Sequence, residues 1–411
     1  YSSLLANTTG ALNTAIGKDS LKANTTGYTN TAIGGLALQN NTTSWNNIAI
    51  GYKAMESLTT GDTNNVAIGV EAAAKSVVGA ISNVSMGYRA LYNNTTGSSN
   101  TAIGFQAMLG TANTATGGGN VGVGYEALRN LGADANQNVA MGYQALKSNT
   151  TAVNNTSVGS QALLNNTTGA SNTALGKNAL AANTTGYWNV AVGWDAMVAN
   201  TTGAGNIAIG KESLTAMTSG VNDMIAIGTY ALQKNTSGSN NTAVGFTALR
   251  ENTTGAQNTA IGASAGGSIT TGSYNQSIGY NAQPLSATTS NQFTLGDANI
   301  GDLRCNDTSI SGLSDQRDKT EIVDSSYGLD FINTVQPRQF KWATREGNIK
   351  DGKTRLGFIA QELLTACNGN NDVLDLVLGE GTDKMEAKYG NLVPMLVKAI
   401  QELSTKNDAL V

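Results

Sequence analysis

A serine and a lysine five residues apart, Ser314 and Lys319, are the side chains whose types and spacing suggest covalent chemistry. The 411-residue sequence contains no histidine, which excludes Ser-His-Asp and Cys-His machinery as well as histidine metal sites. A serine nucleophile needs a group that takes its proton, and lysine is the natural base that remains. Lysine can act in this way only if burial or neighbouring positive charge lowers its pKa towards neutrality.

Two further charged residues, Asp315 and Arg317, lie between the serine and the lysine. Arg317 is a candidate for the neighbouring positive charge. Asp315 would instead stabilise the charged lysine, so we expect it to orient the site or to bond a backbone amide. Serine and lysine at this spacing are common, and spacing alone favours a charged cap at the start of a domain.

Composition excludes several other kinds of site. Cys305 and Cys367 are too few for a disulfide scaffold and match no zinc spacing. The net charge of −4 gives no reason to expect nucleic-acid binding. No apolar run approaches the ~20 residues that a membrane span needs. We therefore expect no metal, no cofactor and no membrane insertion.

The density of charge divides the chain. Residues 1–300 carry 22 charged side chains, whereas residues 301–411 carry 30. This break predicts a repetitive shaft over 1–300, a linker over 301–313 and a globular domain over 314–411.

The shaft repeats the pattern Asn-x-small-aliphatic-Gly, as in NTAIG, with 17 or 18 residues between copies and a single gap of 20. A short fixed period predicts a solenoid. Counting back from the first copy, Tyr1 follows the place of another such glycine, so we expect a longer array on the N-terminal side. The 17 closing glycines are Gly17, Gly34, Gly51, Gly69, Gly87, Gly104, Gly124, Gly142, Gly159, Gly176, Gly193, Gly210, Gly228, Gly245, Gly262, Gly279 and Gly296.

Each copy predicts two short strands joined by polar turns. The three residues before the glycine alternate between aliphatic and small side chains, which indicates a strand. A second apolar residue, usually Leu or Met, recurs four residues after the glycine, and a turn such as Asn-Thr-Thr-Gly follows. Helix is the alternative for the segment after the glycine, but this segment is too short and too interrupted to hold alone.

The coils offer about three aliphatic side chains and one Ala each, which barely offsets the entropy of ordering 17 residues. Packing three copies around an axis would bury a further face, so we predict a homotrimer. The pattern also resembles the head repeats of YadA-like trimeric adhesins, which implies a left-handed parallel β-roll. The fold prediction is a mainly β, trimeric parallel β-roll or solenoid followed by a small α+β domain.

Aromatic residues follow eight of the seventeen glycines and form the candidate receptor contacts. A stacking ladder along the shaft is the alternative that we favour for them. The Asn-Thr-Thr turns match the N-glycosylation acceptor, although they recur where the turn itself requires them. The candidate receptor contacts are Tyr52, Tyr88, Tyr125, Tyr143 and Trp194.

The C-terminal residues lack the repeat and predict a mixed domain that ends in a helix over 392–411. Its Leu396, Ile400, Leu403, Asn407 and Leu410 step by four and three residues, as in a coiled-coil seam with Asn at one core position. A seam this short is also compatible with packing onto its own domain. We favour the oligomeric interpretation, because the shaft independently indicates a trimer.

Four ordered segments, SDQRDKTEI, VQPRQFKW, LGFIAQEL and YGNLVPMLVKAIQEL, resemble the endosialidase-type intramolecular chaperone domain over 314–411. The resemblance implies a domain that trimerises, helps the preceding β-rich shaft to fold and often cuts itself off. It implies a scissile bond between Leu313 and Ser314, with Ser314 and Lys319 catalytic and Asp315 and Arg317 in support.

Together with the repeat, this resemblance implies the distal part of a phage-type tail fibre, assembled in the host cytoplasm and carried on the virion. The expected partners are two further copies of the chain, other tail proteins on the N-terminal side and a glycan or protein receptor. One alternative is a trimeric adhesin on a bacterial surface. A second is a polysaccharide-degrading tailspike, which would need an acidic pair in a groove. Activity on external substrates is not expected.

Overall fold

The computed structural model describes two compact units, Tyr1–Gly296 and Asp297–Val411. The predicted linker over 301–313 lies outside the described residues, so its limits stay a prediction. The described residues are 2–77, 79–111, 117–297, 299–300, 314–343, 352–379 and 385–410.

The first unit contains, over its described residues, one parallel sheet of 17 three-residue strands in which each strand pairs with the next. Equivalent residues lie opposite each other, as Ala32 does to Ala49 and Ala174 to Ala191. The predicted solenoid of 17–18-residue coils is confirmed. The strands are β1 Thr14–Ile16, β2 Thr31–Ile33, β3 Ile48–Ile50, β4 Val66–Ile68, β5 Val84–Met86, β6 Thr101–Ile103, β7 Val121–Val123, β8 Val139–Met141, β9 Thr156–Val158, β10 Thr173–Leu175, β11 Val190–Val192, β12 Ile207–Ile209, β13 Ile225–Ile227, β14 Thr242–Val244, β15 Thr259–Ile261, β16 Gln276–Ile278 and β17 Phe293–Leu295.

The core of the shaft is narrow and is built mostly from alanine and one larger side chain per coil. In the coil of β2, Ala32, Ala37 and Leu38 are completely buried. The aliphatic residue directly before the glycine points outward and is half-exposed in most coils, as for Ile103 and Ile209. Since the small residue points inward and its neighbours along the strand point outward, part of the aliphatic surface that each coil offers stays exposed in a single chain.

The predicted second strand of each coil is wrong. Across the described coils, the segment after the glycine forms turns, in which the second and fourth residues are left-handed. Leu36 has φ 63° and Leu38 has φ 48°. The backbone still stacks, since the Leu36 amide donates to Lys18 of the preceding coil and the Leu38 amide donates to Ala54 of the next.

The glycine that closes each coil is required by close backbone stacking. Gly142 has φ 138°, and a Cβ atom at this position would lie 2.6 Å from the carbonyl oxygen of Gly159. Any side chain here would collide with the backbone of the next coil, where nothing flexible can yield. The glycine period is thus a consequence of stacking geometry rather than of turn flexibility alone.

A ladder of buried asparagines runs along the shaft, four residues before the glycines. The Oδ1 atom of Asn155 accepts from the backbone N–H of Asn172 at 2.9 Å and from its Nδ2 at 3.2 Å. The Nδ2 of Asn172 also donates to the carbonyl oxygen of Gly186 at 2.9 Å. A buried amide with all these partners costs little to desolvate and links each coil to its neighbours.

A second set of asparagines occupies the Asn-Thr-Thr turns and is also buried in most copies. The Nδ2 of Asn183 donates to Asn166 at 2.8 Å and to the turn carbonyl of Gly186 at 3.0 Å. These side chains hold the turns and are completely buried. They are therefore not exposed acceptors for glycosylation.

The second unit is a small α+β domain, as predicted, and ends in its longest described helix. Its elements are a 3-10 helix Gln316–Asp318, α1 Leu329–Ile332, β18 Arg338–Phe340, β19 Arg355–Gly357, α2 Ala360–Cys367, α3 Asn371–Leu374, β20 Val377–Leu378, β21 Glu386–Ala387, a 3-10 helix Tyr389–Leu392 and α4 Val393–Asp408. Strands β18 and β19 pair antiparallel, as do β20 and β21. Across the described residues, no helix is both long and apolar enough to cross a lipid bilayer.

Helix α4 packs one face on its own domain and leaves the predicted seam exposed. Met395 and Ala399 are buried, and Glu402 accepts a hydrogen bond at 2.8 Å from the backbone N–H of Leu329 at the start of α1. Leu396 and Ile400 are exposed, and so are Leu403 and Leu410. The seam therefore does not pack onto its own domain, which removes that alternative.

Candidate functional site

The residues singled out for chemistry lie around the 3-10 helix Gln316–Asp318. Asp315 begins this helix with an extended backbone, and its carboxylate accepts from the Arg317 backbone N–H at 2.9 Å. Lys319 ends the helix, and its backbone N–H donates to Gln316 at 3.2 Å. One tight turn thus returns the chain and brings the two ends of the SDQRDK segment together.

The turn places the ammonium of Lys319 on the hydroxyl of Ser314. The Nζ and Oγ atoms are 2.6 Å apart, with Nζ as the donor. A Ser-Lys dyad brings these two atoms to this distance, and the lysine must be in its neutral form to take the hydroxyl proton. Both side chains are exposed, and Leu313, whose peptide bond the serine would attack, lies outside the described residues.

Asp315 and Arg317 form their own ion pair rather than engaging the lysine. The guanidinium reaches both oxygens of the carboxylate, with the Nη2–Oδ2 distance at 2.5 Å. The Arg317 side chain, followed by its backbone N–H, holds the pKa of Asp315 below its usual value, and the carboxylate raises the pKa of Arg317. The charge of Asp315 is therefore matched by Arg317, and its backbone bond fixes the turn that carries the dyad.

The other three segments of the C-terminal unit are joined to one another. Arg338 in β18 makes a bidentate pair with Glu362 in α2, with both N–O distances at 2.9 Å. The Tyr389 hydroxyl accepts from the Phe358 backbone N–H at 3.2 Å and donates to its carbonyl oxygen at 3.4 Å. These segments form the frame of the domain, whereas the SDQRDK segment carries the candidate catalytic side chains.

The proposed receptor aromatics fall into two groups. Tyr88, Tyr125 and Tyr143, with Phe105, form one continuous stack whose ring centroids are 5.1–5.3 Å apart. Tyr52 and Trp194 lie outside this stack, and each has a lysine over its ring, Lys53 at 5.7 Å and Lys211 at 4.6 Å. The stacked rings cover each other's faces, so the ladder interpretation describes them best.

Two aromatic pairs at another corner of the coil were missed. Tyr28 and Trp45 stack at 5.7 Å with nearly parallel rings, and Tyr187 and Trp188 meet edge to face at 4.9 Å. They occupy the fifth and sixth positions before the glycine, which are polar or small in most copies. Aligning the copies by their glycines would have revealed Trp188 as an exception.

The described residues contain no cluster of three or more carboxylate or thiol side chains that could hold a metal ion. Residues 314–370 match the sequence model of a protein family described as Chaperone of endosialidase, and this match begins at Ser314. It includes the dyad, β18, β19 and α2, whereas α4 lies beyond it. A search among curated proteins returned no relative of the chain. The chain thus joins a parallel β-solenoid to a segment that is similar to the endosialidase chaperone.

Proposed function

We propose that this protein is the distal part of a phage-type tail fibre, in which three chains form the shaft and the C-terminal unit acts as an intramolecular chaperone that cuts itself off. The observation that carries the proposal is the Ser314–Lys319 contact at the first residue of the matched segment, directly after a repetitive shaft. The virion, with assembly in the host cytoplasm, is the proposed location.

The cleavage step uses atoms of this chain and one water molecule. The Ser314 Oγ attacks the carbonyl carbon of Leu313 while Lys319, in its neutral form, takes the hydroxyl proton. The C–N bond then breaks, the lysine returns the proton to the departing nitrogen of Ser314, and an ester joins the two residues. Water hydrolyses the ester, which releases residues 314–411 with Ser314 as their first residue.

Two exposed apolar surfaces support assembly of three chains. One is the row of half-exposed aliphatic residues before the glycines, which recurs along the shaft, as at Ile103, Met141, Leu175 and Ile209. The other is the exposed seam of α4, in which Ile400 is 66% exposed. Long apolar surfaces of this kind are characteristic of interfaces, and a repeating row fits a partner with the same repeat.

A denaturing gel tests the cleavage. The wild-type chain should yield a fragment comprising residues 314–411, which should be absent from Ser314→Ala. Lys319→Arg is the matched control, because it keeps the positive charge but removes the base; it should also block cleavage. Full-length bands from all three proteins would contradict self-cleavage.

A truncated chain tests the chaperone role separately. Chains lacking residues 314–411 should accumulate as aggregates or monomers, whereas Ser314→Ala should still give trimers by analytical ultracentrifugation. Soluble trimers from the truncated chain would refute the chaperone role whatever the outcome of the cleavage experiment.

A further inference from the structure

The fifth and sixth positions before each glycine form a corner of the coil that is continuous along the shaft. The backbone N–H of Trp188 donates to Ala170 at 3.1 Å, and that of Gly205 donates to Tyr187 at 3.1 Å. The Asp223 amide continues the series to Ala204 at 3.4 Å. The corner residues of these four coils therefore lie side by side, each one coil from the next.

Trp188 is an unusual residue for this corner. The fifth position is left-handed, with φ 57° at Trp188, and neighbouring coils place Ser171 and Gly205 there. Asn and Gly tolerate this backbone well, whereas a bulky aromatic residue is strained in it. The strained residue is also 67% exposed, so it gains little from packing. Tyr274 shares this position, its left-handed backbone and its exposure, so the feature that distinguishes Trp188 is the adjacent ring of Tyr187.

Both rings of this pair are partly exposed. Tyr187 is 46% exposed, and the two rings meet edge to face, so only one ring face of the pair is covered by its partner. The flanking corner residues Ser171 and Gly205 have no side chains that could cover an indole. In contrast, Tyr28 and Trp45 lie face to face and cover each other.

Polar side chains lie at this corner in the coil that follows Ala204 and Gly205. The Asn222 Oδ1 accepts from the Ala204 backbone N–H at 2.8 Å, so this side chain extends back over the preceding coil. A Cβ atom on Gly205 would lie 3.0 Å from the Asp223 Oδ1, which places that carboxylate over Gly205. The small residues Ala204 and Gly205 thus form the floor of a notch between an aromatic wall and a polar wall, and the Asp223 carboxylate leans over the Gly205 part of this floor. Because coils are about 4.8 Å apart, the walls are about 10 Å apart at the backbone.

We propose that this notch, formed by Tyr187, Trp188, Ala204, Gly205 and Asp223, binds a saccharide of a cell-surface polysaccharide. A pyranose ring offers C–H groups to an aromatic face and hydroxyl groups to a carboxylate, and this notch presents the two partners two coils apart, on either side of Ala204 and Gly205. The Trp188 Nε1–H and the Tyr187 hydroxyl add further hydrogen-bonding groups. A second copy of this repetitive chain would pack against a surface that recurs in every coil. This notch occurs once in the described shaft, which argues against a contact between copies. The inference rests on the attachment role proposed above and names its ligand class and site.

Binding of the full-length protein to an array of bacterial capsular polysaccharides and lipopolysaccharides tests the site. Wild-type protein should bind at least one of these polysaccharides, and Trp188→Asn should weaken that binding roughly thirtyfold or more, as expected for a central aromatic contact. Asp223→Asn should weaken it about tenfold by removing the carboxylate. Gly205→Asn, which the left-handed backbone tolerates, should fill the notch and abolish binding.

Tyr274→Asn is the matched control, since Tyr274 is left-handed at the same position but lacks an aromatic neighbour. It should bind like wild type. Trp188→Asn should unfold at the same or a higher temperature than wild type, because Asn relieves the backbone strain. Equal binding by Trp188→Asn, or no binding of the wild type to any polysaccharide, would overturn the proposal.

Acrylamide quenching of a variant that retains Trp188 as its only tryptophan tests whether a second copy of the chain covers this corner instead. Efficient quenching in the assembled protein is expected for an open notch, whereas protection would assign the corner to an interface between copies and overturn the proposal. Cleavage and oligomeric state are measured on the same preparations. If these are intact while polysaccharide binding fails, the saccharide site is wrong and the assembly proposals stand.

Discussion

The shaft and the C-terminal unit differ in whether their contacts repeat. In the shaft, Asn155 bonds Asn172 in the same way that Asn172 bonds Asn189, one coil further on. In the C-terminal unit the contacts are individual, as between Tyr389 and Phe358 or between Glu402 and Leu329. Repeated contacts stabilise a stack without specifying its alignment, whereas individual contacts can form in only one arrangement of the residues.

The difference explains why a repetitive shaft should be joined to a non-repetitive domain. Moving one shaft past another by a whole coil would recreate nearly all of the same contacts, so register is weakly specified. A domain with unique contacts that assembles first would set the alignment before the strands stack. The following predictions test this contrast, from the largest expected effect on the stability of one chain to the smallest.

Replacing a closing glycine should be the most damaging single change in the shaft. Gly142→Ala should lower the free energy of unfolding by at least about 3 kcal/mol, because its Cβ atom would collide with the backbone of the next coil. Gly61→Ala is the control: Gly61 has φ 78°, but a Cβ atom there meets nothing within 4 Å, so about 1 kcal/mol is expected. Hydrogen exchange of the backbone amides across the coils measures the loss of stability in both variants. Equal protection loss in the two variants would contradict the stacking explanation.

Breaking the asparagine ladder should have the next largest effect. Asn172→Ala removes the four hydrogen bonds of the Asn172 side chain, two donated and two accepted, and leaves buried partners unsatisfied, so a loss of roughly 2–4 kcal/mol is expected in chemical denaturation. Ser171→Gly, at the adjacent left-handed position, should change stability by less than about 0.5 kcal/mol. A tolerated Asn172→Ala would mean that the ladder fixes geometry without contributing to stability.

Asp62 should make the shaft less stable as pH rises. It is completely buried, its Oδ2 atom has no hydrogen-bond partner among the described residues, and burial raises its pKa to about 6 from 3.8 despite the backbone N–H groups of Gly79 and Ala80. The folded state therefore holds this proton more tightly than the unfolded state. The resulting stability is present below the unfolded pKa and is lost as pH rises through about 6.

Asp62→Asn should remove that loss. At pH 8 the variant should be more stable than wild type by about 1–3 kcal/mol, and at pH 4 the two should nearly coincide. Thermal unfolding at both pH values measures this, with the exposed Asp134→Asn as control. A variant that is less stable than wild type at pH 8 would show that the carboxylate has a favourable partner.

A substitution on the exposed seam of α4 should have the smallest effect on one chain and the largest on assembly. Ile400→Lys should change the stability of the isolated chain by less than about 0.5 kcal/mol, because Ile400 is already exposed. It should nevertheless dissociate the oligomer in analytical ultracentrifugation. Gln401→Lys introduces the same charge beside the seam and should leave the oligomer intact. Persistence of the oligomer in Ile400→Lys would place the contact elsewhere.

The repeat made the solenoid predictable because each coil must satisfy the same stacking condition. One glycine per coil and one small residue two positions before it were enough to predict parallel strands and their spacing. The conformation between the strands was not predictable in this way. Leu36 and Leu38 are left-handed, a state that leucine disfavours in isolation. They adopt it because the burial of Leu38 and the backbone bonds of the two residues to the neighbouring coils outweigh the local cost.

The sequence by itself determined the period of the shaft, the change to a non-repetitive domain and, through the absence of histidine, the choice of Lys319 as the partner of Ser314. These are consequences of residue type and order. Only the tertiary structure decided which residues face outward, that Arg317 neutralises Asp315, and that the carboxylate of Asp223 lies over Gly205, one coil beyond Trp188. Such relations depend on contacts between residues far apart in the chain or on the direction in which a turn folds, and no single segment specifies them.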